Sequence, residues 1–173
     1  LNISVGACSK RGMSENSALV KGVNRAWDAG LVVVVAAGNN GPRTMSITTP
    51  GISRKVITVG CSDDDREVLV GGNRMVDYSG RGPTAACICK PDLVAPGCSV
   101  VSCSSRADKY TIKSGTSMST PIVSGAVALL LERFPDMSNK DVKLRLRESS
   151  VDIGLPRNQQ GWGLLDVGKM LER

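Results

Sequence analysis

Seven consecutive apolar residues, Leu31 to Ala37, four of them valine, follow Gly30 without a polar interruption. A run this short and β-branched is a strand. With no polar residue alternating through it, it must be buried on both faces, as in a parallel sheet covered by helices. Before it, Ala18, Leu19, Val23, Ala26 and Trp27 recur at three- and four-residue steps, the pattern of an amphipathic helix of about four turns. Ser14 or Asn16 is expected to cap that helix, and Gly30 stands where a left-handed stop belongs. Leu1 to Val5 reads as a strand end closing at Gly6, with a loop from Cys8 to Gly12. Strand, helix and strand make a βαβ unit with an expected right-handed crossover, so the fold class is α/β.

The second constraint is Ser114-Gly115-Thr116-Ser117-Met118-Ser119-Thr120-Pro121, which runs straight into the apolar stretch Ile122 to Leu131. A helix apolar on all sides is expected to be buried, opening its N-terminus inside the protein with orphan N–H groups and a positive dipole end. Pro121 suits a first turn, Gly115 permits close approach of another chain, and Gly125 permits tight helix packing. A serine at such a place is either a capping residue or a nucleophile with backbone donors beside it. The loop Gly38-Asn39-Asn40-Gly41-Pro42 follows the Leu31 strand, and ligands of open α/β sheets bind at the carboxyl ends of strands. Its residues are also ordinary turn formers.

Gly115-Thr116-Ser117-Met118-Ser119-Thr120-Pro121 resembles the nucleophile segment of the subtilisin-like serine proteases (subtilases). Ala36-Ala37-Gly38-Asn39 resembles the segment that supplies the amide of their oxyanion hole, and the 78 positions from Asn39 to Ser117 suit the family. Tyr78 to Pro83 and Lys90 to Gly97 are similar to further landmarks, a surface loop and the short strand leading towards the nucleophile. Gly161 to Val167 is similar to the closing segment of the catalytic domain, where a short helix packs back.

The resemblance implies a three-layer subtilisin-like α/β fold with a mostly parallel sheet. It also implies peptide-bond hydrolysis through an acyl-enzyme on Ser117. Asn39 and the Ser117 N–H would hold the oxyanion, with Thr116 assisting. Ser4, Val5 and Gly6 on one side and Ala36, Ala37 and Gly38 on the other would pair with an extended substrate and line its P1 pocket. Thr48 would floor that pocket and make it shallower than a glycine would.

Elsewhere, Val56 to Gly60 reads as a strand, Ser62-Asp63-Asp64-Asp65 as a solvated acidic turn, and Gly71 to Arg74 as a second turn. Val100-Val101 and Tyr110-Thr111-Ile112 are expected to pair as short strands. Ser138 to Asp141 reads as a capping box, and Val142, Leu144, Leu146 and Val151 as an amphipathic segment.

Composition narrows the rest. Aromatic residues are only 3% of the chain, so the core must be aliphatic. The net charge of +6 is scattered apart from Lys140, Lys143, Arg145 and Arg147, a pattern of a solvated helix face, so no nucleic-acid partner is expected. No apolar run is long enough for a membrane span. The 6 cysteines lack zinc spacing and have no histidine to complete a mixed site, so no metal is expected and buried free thiols are the default.

The 0 histidines leave a serine nucleophile without the family's base. Residues 1–173 are therefore read as the C-terminal portion of a subtilase catalytic domain, inactive alone, with the portion carrying Asp and His as its partner. Calcium belongs, if anywhere, to the complete enzyme, whose family leans extracellular. An exposed edge near Val5 is expected to invite self-association. The alternatives are a non-catalytic pseudoprotease or peptide-binding module of the same fold, and a sedolisin-type peptidase, against which Asn39 argues.

Overall fold

The computed structural model describes residues 1–7, 16–105 and 109–172; the expected loop from Cys8 and the Ser14 cap lie outside them. The elements in chain order are β1 (Asn2–Ile3), α1 (Ala18–Asp28), β2 (Val34–Ala36), β3 (Ile57–Cys61), β4 (Val68–Val70), β5 (Asn73–Met75) and β6 (Leu93–Ala95). They continue with β7 (Val100–Cys103), β8 (Tyr110–Lys113), α2 (Thr116–Arg133), α3 (Asn139–Ser149), α4 (Arg157–Gln160) and α5 (Val167–Leu171). Four strands form one parallel sheet in the order β1-β2-β3-β6, with Ile3 opposite Val35, Val35 opposite Thr58, and Val59 opposite Leu93. Helix α2 packs against all four. The main core joins Val33, Val35, Ile57, Val59 and Leu93 of the sheet region to Val123, Val127 and Leu130 of α2 and to Val142, Leu146 and Met170. Burial of each such side chain contributes roughly 1.5–3 kcal/mol.

Two antiparallel hairpins, β4–β5 and β7–β8, stand apart from this sheet. The first turns at Gly71 and Gly72, with φ of 57° and 89°, a left-handed pair that glycine adopts without strain. The Ser138–Asp141 capping box is present on α3, and Gly30 ends α1 at φ 91°.

Several expectations change. Ser17, not Asn16, caps α1, its Oγ accepting from the Val20 N–H. Leu19 and Val20 both stand at helical spacing from Val23, and packing selects Val20, leaving Leu19 51% exposed. Strand β2 is shorter than the apolar run because Leu31 donates its N–H to Ala26 and completes the helix stop instead of entering the sheet. Helix α2 is buried on one face only: Leu129 is 48% exposed, and open space surrounds the position a Gly125 Cβ would take. Pro121 is the sixth helical residue, beyond the first turn, and leaves the Ser117 carbonyl without its i+4 donor.

The acidic turn is only partly solvated: Asp65 is exposed, whereas Asp63 is half-buried and Asp64 buried. Asp64 is 3% exposed and accepts from the Ser79 N–H, while Asp63 accepts from the N–H groups of Gly97 and Cys98. Burial holds the Asp64 carboxyl above its ordinary range, against the pull of that Ser79 N–H. Tyr78 to Gly80 is likewise no surface loop but is wholly buried. On α3, Leu144 faces solvent, and Val151, past the helix, pairs with Leu164 at the surface. Lys143 and Arg145 do not lie on a free solvated face: Lys143 donates to the carbonyls of Arg54, Lys55 and Val56, and Arg145 to that of Met170. Among the described cysteines only Cys61 is fully buried; Cys87, Cys89 and Cys103 are exposed, and all five are free.

Candidate active site

The parallel sheet delivers the ends of its strands to one edge. Ser4 follows β1, Gly38 and Asn39 follow β2, Gly97 follows β6, and the first turn of α2 arrives at the same place. Helix α2 is 18 residues long, so the open N–H groups of its first turn carry a positive end.

Asn39 and Thr116 lock to each other across that edge. The Thr116 N–H and hydroxyl both donate to Asn39 Oδ1 at 3.0 Å, and the same hydroxyl accepts from the Gly38 N–H at 3.1 Å. The one hydroxyl proton is therefore committed to Asn39. Because its oxygen takes both donors, the amide can have only one orientation, with Nδ2 turned outward. That nitrogen stands 3.2 Å from where a Gly115 Cβ would sit, so glycine there, at φ 137°, leaves the space the amide needs. Among the described residues nothing accepts from Asn39 Nδ2 or from the Ser117 N–H. Ser117 Oγ, part-buried, donates to the Ser4 carbonyl at 2.8 Å.

A second cluster surrounds Thr48. Its N–H and hydroxyl donate to the Ala37 carbonyl at 2.9 Å and 3.3 Å. A Cβ on Gly6 would lie 2.2 Å from its Oγ1, and one on Gly38 2.4 Å from its Cγ2. Thr48 thus sits between the two glycines, with Ala7 bridged to Thr49 behind it. Ser4, Gly6, Gly38, Asn39, Thr48, Thr116 and Ser117 are brought together. Ala36 and Ala37 are fully buried and reach the site only through backbone, and the Val5 side chain is 69% exposed.

Sequence reasoning treated Thr116 as an assistant; geometrically it orients Asn39. It also missed Gly80, whose N–H donates to the Gly38 carbonyl and holds the loop after β2, and Val70 of the β4–β5 hairpin, which lies near Gly115. Neither carries a chemical signature in its neighbours along the chain. Among the described residues no group of three or more His, Cys, Asp or Glu could hold a metal ion. Nor is any helix there long and apolar enough to cross a membrane.

The chain is similar in sequence and in fold to known proteins. A family model described as the subtilase family matches residues 1–163. The chain is 42% identical over 145 residues to serine protease AprX of Bacillus subtilis (strain 168), an alignment covering 76% of this chain and 33% of AprX. It is 34% identical over 169 residues to subtilisin DY of Bacillus licheniformis, covering 96% of this chain and 54% of that protein. Among solved structures, Sphericase aligns with a TM-score of 0.76 at 31% identity, over 96% of this chain and 56% of that one. The chain therefore spans a third to just over half the length of these proteins.

Proposed function

The chain belongs to the subtilase family, and from that membership we propose that it supplies the nucleophile, oxyanion hole and P1 pocket of a serine endopeptidase. Ser117 Oγ attacks the carbonyl carbon of the scissile peptide bond as its proton passes to a base. The Asn39 Nδ2 and the Ser117 N–H hold the oxyanion of the tetrahedral intermediate. The leaving amine departs with a proton, and water then releases the acyl group from Ser117. Ser4 to Gly6 and Ala36 to Gly38 receive the extended peptide, and Thr48 closes the P1 pocket from below. The observation that carries this reading is the Asn39–Thr116 lock, which aims an amide at the start of a helix whose second residue is serine.

The sequence has 0 histidines, so the base and the carboxylate that orients it belong to the N-terminal portion of the same protease, and residues 1–173 alone do not turn over peptides. An extracellular location is carried from the family resemblance alone and is tested by cell fractionation. The alternative, a peptide-binding module of the same fold, draws on one observation: the Ser117 hydroxyl is donated to a backbone carbonyl. Fluorophosphonate labelling of the full-length protein separates the two. The peptidase reading expects one label, on Ser117, absent from Ser117→Ala; an unlabelled wild type with retained peptide affinity supports the binding module.

A further inference from the structure

Gly115, the residue before Thr116 and Ser117, donates its N–H to the Gly97 carbonyl at 2.9 Å. Gly97 belongs to the loop between β6 and β7, and the peptide groups on both of its sides are held. Its own N–H and that of Cys98 donate to Asp63 Oδ1 at 2.7 Å and 3.1 Å. Its carbonyl, besides taking Gly115, accepts from the Tyr78 hydroxyl at 3.2 Å. The Cys61 thiol closes the ring, 3.1 Å from Asp63 Oδ1 and 3.2 Å from the Tyr78 oxygen. Cys61 and Tyr78 are both fully buried. The proton count is consistent: the thiol donates to the Asp63 carboxylate, and the phenol donates to the Gly97 carbonyl. Burial pushes the Cys61 thiol up to about 12 and the Tyr78 phenol above its ordinary range, so both keep those protons at neutral pH. There is no slack around Gly97, since a Cβ there would lie 2.3 Å from Ser119 Oγ, 2.9 Å from Cys61 Sγ and 3.0 Å from the Gly115 carbonyl.

We propose that Cys61, Asp63 and Tyr78 form a positioning clamp for the nucleophile, fixing Gly97, whose carbonyl fixes Gly115 and with it the first turn of α2. The inference rests on Ser117 being the nucleophile. None of the three side chains touches the Ser117 hydroxyl or Asn39, so all three are positioning residues. Two donors can converge on one developing oxyanion only if their spacing holds to about 0.5 Å. The clamp sets the height of the turn that carries one donor, the Ser117 N–H, against the β2 loop that carries the other. Asn39 then registers the two through Thr116. The β3 end, the Asp63 turn and the buried Tyr78 segment thereby act on a residue that none of them contacts.

The experiment uses the full-length protein. Tyr78→Phe removes one proton donor and keeps the ring; Asp63→Ala removes the acceptor, and Asp63→Asn restores an oxygen for the two N–H groups. Val142→Ala, in the remote packing of α3, controls for simple loss of stability. The readouts are the rate of phosphonate acylation at Ser117, kcat and KM separately, and hydrogen exchange of the Gly115 amide. Tyr78→Phe and Asp63→Ala are expected to slow acylation and kcat by about tenfold or more, since even small misplacement is costly in such sites. KM stays within about twofold, as for an interaction felt in the transition state only. Gly115 exchange accelerates, Asp63→Asn recovers most of the loss, and Val142→Ala acylates at the wild-type rate. Wild-type acylation rates in Tyr78→Phe and Asp63→Ala, or equal slowing in Val142→Ala, overturn the clamp. Should the wild type itself fail to label, the peptidase reading fails instead. Exchange at Gly115 then decides the clamp alone: faster in Tyr78→Phe upholds it, and unchanged exchange rejects it.

Discussion

Ser119 sits one turn inside α2 with 0% exposure, and its Oγ finds no partner among the described residues. An unpaired buried hydroxyl keeps its desolvation cost without a compensating bond, so Ser119→Ala is expected to raise stability by about 1 kcal/mol. A urea midpoint that falls or stays put contradicts this account. Thr48 acts through its volume. If it floors the P1 pocket, Thr48→Gly in the full-length enzyme raises kcat/KM for phenylalanine over alanine at P1 by about tenfold or more, the range a few methyl-sized groups command. An unchanged ratio places the floor elsewhere. These residues also mark what a sequence can tell at this scale. Asn39, Thr116 and Ser117 stood out because each lies in a short string that resembles a family motif, and the fold brings the strings together through the Asn39–Thr116 bonds. Asp63 and Tyr78 were not, because what gives them a role is Gly97, lying 34 residues beyond the one and 19 beyond the other. A run of three aspartates looks solvated until the N–H groups that two of them accept from are known.

The elements are stitched together by a buried charge cluster that the pattern of the chain gave no hint of. Lys90, wholly buried just before β6, donates to the Val56 carbonyl at 3.0 Å and to Asp92 Oδ2 at 2.5 Å. Lys143 of α3 reaches the other oxygen of Asp92 at 3.5 Å, and Asp92 also accepts from the Thr58 N–H of β3. Burial lowers the Lys90 ammonium from an ordinary 10.5 to about 8, outweighing the attraction of Asp92 and assisted by the repulsion of Lys143. Between those two values the unfolded chain binds a proton that the native protein does not, so native stability gains as pH rises through the window. Measured against Lys90→Met, which has no such group, wild-type stability should climb between about pH 8 and pH 10, by at most about 1.4 kcal/mol per unit. A difference that is flat or falls with pH removes the argument. Helix and strand types were legible here because period and β-branching are local signals. Helix phase was not, since Leu19 and Val20 both fit the period and only packing against the sheet separates them. The breadth of burial around α2 was overstated for the same reason: an apolar composition does not say how many sides have a neighbour.

At the scale of the molecule the two edges of the parallel sheet differ. The β6 edge is covered by the C-terminal segment, with Val94 donating to the Gly163 carbonyl and accepting from Leu165. The outer edge of β1 has no such cover among the described residues. Beside it lies a cavity of about 340 Å³ whose walls include Leu1, Leu31, Val32, Val127, Ala128 and Leu131. Leu1 and Leu31 are 59% and 50% exposed at its rim. An open strand edge next to an apolar hollow offers both backbone pairing and side-chain burial to whatever approaches. That the sheet is parallel, with the candidate site at the carboxyl ends of its strands, could be read from the apolar strand and the loop that follows it. Which edge stays open could not, because the order of strands depends on contacts between distant segments. Residues 1–173 studied alone are therefore expected to associate, with an apparent mass in light scattering that rises with concentration. Replacing both Leu1 and Leu31 with lysine should suppress that rise while leaving the far-ultraviolet dichroism intact, since both side chains are half in water already. If the N-terminal portion proposed above occupies this edge, adding it should suppress the rise as well. A wild-type chain that stays monomeric at every concentration would show that the edge is satisfied in some other way.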